Sequence, residues 1–97
     1  MGSQFYIVIN LKTPDGWEAF AKFYVGDNRK NGQALFRKLK GTSHVKDSYP
    51  LNIDFVEMKN GLPVNLDMIT CNLTQVGENA VIITKELFRQ KLLSLPQ

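Results

Sequence analysis

The single histidine, His44, and the single cysteine, Cys71, are the side chains in this sequence best suited to acid–base or nucleophilic work. Neither has a sequence neighbour that completes a nucleophile–base pair, and a free cysteine most often behaves as a small buried apolar residue. His44 with Arg37 and Lys46 would be the set a toxin-like ribonuclease needs, but no motif supports that reading. Asp54 and Asp67 are a second candidate. Opposed across a hairpin, two carboxylates repel unless a cation or a shared proton relieves them, and Asn52 and Asn65 share their parity and could add oxygen ligands. A longer hairpin loop removes the conflict without any metal. Glycine-rich phosphate loops, zinc spacings and serine-hydrolase elbows are absent, and Asn72-Leu73-Thr74 matches the glycosylation acceptor at about the frequency chance allows. No catalytic residue, metal or cofactor is expected.

Two binding surfaces compete for attention instead. Tyr6, Phe20, Lys22 and Tyr24, with Lys12, fall on one parity of a strand pair whose other parity already supplies a core. Such a set suits a protein interface, where aromatic residues are enriched, or a stacking platform for unpaired bases. The plainer reading is a second layer of core covered by the chain's own final helix. Residues 27 to 47 hold six basic side chains, Arg29, Lys30, Arg37, Lys38, Lys40 and Lys46, against Asp27 and Asp47. Such a cluster can hold phosphates, and it can equally be a solvated helix face.

The elements that position these residues are legible from periodicity. Gln4 to Lys12 and Trp17 to Val25 alternate around Thr13-Pro14-Asp15-Gly16, the signature of a hairpin. A three-residue Pro14-Asp15-Gly16 loop pairs Thr13 with Trp17, Lys12 with Glu18 and Tyr6 with Tyr24. That register puts Phe5, Ile7, Ile9, Leu11, Trp17, Ala19, Ala21, Phe23 and Val25 on the core face. A helix is expected from about Asn28 to Lys40, with Leu35, Phe36 and Leu39 on its apolar stripe and Gly41 at its end. Gly32 either permits close approach to the sheet or marks a later start.

Leu51 to Lys59 and Val64 to Leu73 form a second alternating pair. A tight Asn60-Gly61 turn pairs Phe55 with Leu66, Ile53 with Met68 and Asp54 with Asp67. A four-residue loop instead sets Asp54 against Ile69 and Val56 against Asp67. A helical turn over residues 74–79, a short strand over 80–83 and a final helix capped by Thr84, with Leu87, Phe88, Leu92 and Leu95 as its stripe, complete the pattern.

The expected fold is α+β, a single small domain over residues 4–95 in ββα-ββ-(β)α order. An antiparallel sheet of four or five strands carries two helices mainly on one face. Met1-Gly2-Ser3 reads as a possible expression remnant and is set aside. Ninety-seven residues bury about 65% of their unfolded surface, enough for one core and no second domain. The lone cysteine and the lack of a leader pattern or a long apolar run point to a cytoplasmic, non-membrane setting. The leading functional expectation is an interaction module that associates with itself or another protein through Tyr6, Phe20, Lys22 and Tyr24. The alternative is a nucleic-acid binder using residues 28–40 and the loop that follows.

Overall fold

The computed structural model describes residues 2–43 and 50–94, with side chains through residue 91. Its elements are β1 (Gln4–Thr13), β2 (Gly16–Tyr24), α1 (Arg29–Arg37), β3 (Leu51–Lys59), β4 (Leu62–Cys71) and α2 (Leu73–Ser94). The four strands form one antiparallel sheet in the order β2-β1-β3-β4, so the fold is α+β as the sequence indicates. Since β2 and β3 both run against β1, they are parallel, and α1 is the crossover that joins them.

Both helices pack on one face. Leu35 and Phe36 of α1 and Ile83 of α2 join Phe5, Ile7, Ile9, Leu51, Ile53 and Phe55 in a single buried cluster. Phe55 sits at its centre, stacked between Phe5 and Phe36 with ring centroids 5.8 and 5.7 Å away. Gly32 is what lets α1 come this close. A Cβ there would stand 2.9 Å from the Phe55 ring, so close approach, not a late helix start, explains this glycine.

The first hairpin keeps the expected register from Tyr6↔Tyr24 to Ile9↔Ala21 and then departs from it. Its loop is only Pro14-Asp15, with Thr13 opposite Gly16, and the lost residue is recovered by a bulge that inserts Phe20 between the partners of Ile9 and Asn10. Side chains alternate with a period of two, so one inserted residue swaps the faces beyond it. Trp17 and Ala19 therefore leave the core face expected for them. Trp17 shares the outer face with Lys12, while Glu18 opposes Leu11 on the helix side.

The second hairpin repeats the device. Asn60 and Gly61 have φ of 54° and 80°, the pair of positive angles a type I′ turn requires, so the tight turn is correct. A shift between Phe55 and Val56 then leaves Leu66 unpaired, and Asp54 faces Met68, Phe55 faces Asp67 and Ile53 faces Ile69. Neither expected register survives past the bulge, and Asp54 and Asp67 are not opposed. Cys71 is wholly buried in the core and opposes Leu51, while Met68 turns to the outer face.

Two helix boundaries also differ from expectation. α1 is capped by Asn28, whose side chain accepts from the Asn31 amide, but it ends at Arg37 instead of Lys40. Lys38 and Leu39 bond to the carbonyls of Leu35 and Phe36, three residues back, and the Lys40 backbone is taken by the buried Asn79. The Asn79 side chain accepts from the Lys40 N–H at 2.6 Å and donates to its carbonyl at 2.8 Å, tying the end of α1 to α2. α2 begins at Leu73 and runs through both the 80–83 segment, which is not a strand, and Thr84, which caps nothing. Its start is a capping box: Asn72 accepts from the Gln75 amide and Gln75 accepts from the Asn72 amide. Once nucleated there, the helix carries the β-branched run of residues 81–84 inside it, because tertiary packing of Ile83 outweighs a weak strand propensity.

Candidate interaction surface

The face opposite the helices is built from alternate residues of all four strands. Its rows, read from β2 to β4, are Tyr24, Tyr6, Val56 and Asn65; then Lys22, Val8, Asp54 and Met68; then Ala19, Asn10, Asn52 and Thr70. Tyr6 and Tyr24 form an aromatic corner with ring centroids 5.4 Å apart, and the Lys22 ammonium lies 4.4 Å from the centre of the Tyr6 ring. A cation held over an aromatic face is attracted by the negative potential of the ring, which ties Lys22 to this corner. Phe20, the fourth expected site residue, sits at the bulge, and the structure does not pair it with the other three.

Trp17, Phe20 and Tyr24 are 47%, 56% and 49% exposed. Three large aromatics half open to solvent on a single strand exceed what a sheet needs for its own stability. The edge strand β2 carries all of them.

At the centre of the face lies a polar group in which Asp54 and Asn52, both singled out by the sequence, are joined by Asn10, which was not. The Asn10 amide nitrogen donates to Asn52 Oδ1 at 2.7 Å and to Asp54 Oδ2 at 2.9 Å. Asp54 Oδ1 is buried and has no hydrogen-bond partner among the described residues. Burial pushes the Asp54 carboxyl above its ordinary value of 3.8, and the Asn10 and Asn65 side chains pull it part of the way back. The signal that could have found this cluster is the shared parity of Asn10, Asn52 and Asp54. Reading it requires knowing that β1 pairs with β3, a contact between segments some forty residues apart.

The basic residues divide. Arg29, Lys30 and Arg37 border one shallow groove along α1 with Gln33 and Ala34. Lys38 points elsewhere, with its Nζ 3.9 Å from Glu86 of α2, and Lys40 follows the helix. Glu86 also accepts from Arg89 and Gln90, and the Arg89 contact above all holds its carboxyl below the ordinary range. The cleft between the helices, about 210 Å³ in volume, is thus lined on one side by this ion-paired cluster. His44 and Lys46 lie outside the described residues, so of the three side chains a ribonuclease would need, only Arg37 is placed.

Among the described residues no group of three or more His, Cys, Asp or Glu could hold a metal ion, and no helix is long and apolar enough to cross a membrane. Comparison of the chain with protein-family models, with curated proteins and with solved structures gave no match. Function is therefore argued from the surface itself.

Proposed function

We propose that this protein is a cytoplasmic interaction module that associates with a second copy of itself through the outer face of its sheet, around Tyr6, Lys22 and Tyr24, with Trp17 and Phe20 at the margin. The observation that carries the reading is the exposure of Trp17, Phe20 and Tyr24 together on the edge strand β2, where Tyr24 also borders a groove with Leu87 and Gln90 of α2. Aromatic side chains supply large contact areas at small entropic cost, and interfaces are enriched in them.

Charge favours a second copy over an unrelated partner. Lys22 and Asp54 lie in one row with Val8 of β1 between them. A two-fold axis along β1 in the plane of contact exchanges the two flanks, bringing Lys22 of each copy over Asp54 of the other.

Sedimentation of the wild type and of Tyr24→Glu tests this reading. A concentration-dependent assembly is expected, with association of the variant weakened about tenfold or more, the cost of replacing a contacting aromatic ring by a charge. A strictly monomeric wild type, or an assembly that Tyr24→Glu leaves unaltered, rules it out.

A second reading rests on Arg29, Lys30 and Arg37 sharing one groove in a helix that contains no acidic residue. It makes the protein a nucleic-acid binder whose affinity falls steeply with salt. Random oligonucleotides that show no shift at low salt remove it.

A further inference from the structure

The helix α2 is apolar on two opposite sides. Inward it presents Val76, Asn79, Ile83 and Leu87, which are buried or packed against the core. Outward, Leu73, Val81 and Phe88 are 70%, 52% and 64% exposed. At 100° per residue Val81 and Phe88 lie within 20° of one line, directly away from the sheet. A helix that is apolar on both sides is ordinarily covered on both. The outward side also has a notch. A Cβ at Gly77 would meet nothing within 4 Å, although glycine costs about 1 kcal/mol relative to alanine at an exposed helix position.

We infer that the outward side of α2 packs antiparallel against the same side of α2 in a second copy, about a two-fold axis level with Val81 and Ile82. Two features favour this occupant. Glu78 and Lys85 lie at equal distances on either side of that axis and on the same flank of the helix. The axis therefore sets Glu78 of each copy against Lys85 of the other, two ion pairs from one element. With a rise of 1.5 Å per residue, the axis also brings Phe88 level with Gln75 of the partner helix. There it stands between Gly77 and Leu73, so the notch in one helix takes the ring of the other. The groove that Phe88 and Val81 border, completed by Ala80, Thr84 and Lys85, is almost wholly apolar.

This contact is independent of the sheet face, and a chain with both two-fold contacts assembles beyond a dimer. The test is sedimentation of the full chain from micromolar to millimolar concentration, carried out in the Tyr24→Glu background so that the sheet contact does not contribute. A dimer is expected to remain. Phe88→Glu weakens it about tenfold or more, because a charge replaces a ring in an apolar notch. Lys85→Glu weakens it about threefold, and adding Glu78→Lys to that variant restores it to within about twofold, as a partner exchange of charges requires. Phe88 is largely exposed, so loss of association with unchanged circular dichroism is not loss of the fold. The inference is overturned if the Tyr24→Glu chain is monomeric throughout, if Phe88→Glu has no effect, or if the charge exchange fails to restore the dimer. It is also overturned if the chain stays monomeric and Phe88 becomes protected only on anionic lipid vesicles. Failure of the sheet contact reads differently: Tyr24→Glu then leaves the wild-type assembly unchanged while Phe88→Glu still reduces it.

Discussion

On the helix side of the sheet Ile7, Ile53 and Phe55 are wholly buried, while Tyr6 and Asp54, one residue along on the same strands, face the other way with Lys22 of β2 beside them. The two faces share a backbone and differ in what covers them. The helix side is closed by Leu35, Phe36 and Ile83, with a glycine placed so that one ring can fill the gap. The outer side mixes a cation over a tyrosine, an asparagine that bridges two acceptors, and a carboxyl whose second oxygen has no hydrogen-bond partner among the described residues. One face is specified by volume and the other by placement of polar and aromatic groups. A face of the first kind stabilises the fold; a face of the second kind is suited to meeting something else.

By that contrast, substitutions on the helix side change stability most. Phe55→Ala removes the ring that Phe5, Phe36 and Gly32 all contact, and the site cannot collapse because β1 and β3 hold it open. The expected loss is about 3–5 kcal/mol in denaturant unfolding, a large part of the total stability of a domain this size. A loss below about 1 kcal/mol would mean the ring is not a core group.

Asn79→Ala probes the helix layer without deleting apolar volume. It removes both partners of the Lys40 N–H and carbonyl at a part-buried contact, so a loss of about 1–2 kcal/mol is expected. Hydrogen exchange at the Lys40 amide should quicken in step. If exchange there is unchanged, the clamp does not hold the end of α1.

The same contrast explains what the sequence could and could not reveal. Alternation identified the strands, the Leu35, Phe36 and Leu39 stripe identified α1, and Asn60-Gly61 offered a tight turn as one of two loops, between which the two positive φ angles decide. These signals are local. The faces of Trp17 and Met68 were not legible because each depends on one bulge residue, Phe20 or Leu66, and a single insertion reverses the parity beyond it. The segment of residues 80–83 has strand composition, but its conformation is decided at Asn72 and Gln75, where a reciprocal cap starts a helix that then runs through it. The Asn10–Asn52–Asp54 group needed the β1–β3 pairing, which no local pattern contains. Tyr6, Lys22 and Tyr24 were legible because they lie on the hairpin's bulge-free half, where counting from strand to strand still holds.

The smallest expected effect lies on the outer face and has the opposite sign. Because burial raises the Asp54 carboxyl, the folded chain holds this proton to higher pH than the unfolded chain does. Between the ordinary value of 3.8 and the raised one, unfolding therefore releases a proton, and stability falls as pH rises through that interval. At neutral pH the charged form is carried at a net cost. Asp54→Asn removes the charge and keeps an oxygen for the Asn10 amide, so the unfolding midpoint at neutral pH should rise and this part of the pH dependence should flatten. A core residue replaced by a near-isostere would not behave this way, since packing is indifferent to pH. If instead Asp54→Asn lowers the midpoint at neutral pH, the carboxylate is stabilised by its neighbours in the isolated chain and needs no partner. Should the substitution stabilise the monomer while weakening its association, Asp54 is held in a form that suits contact with Lys22 of a second copy better than it suits the chain that carries it.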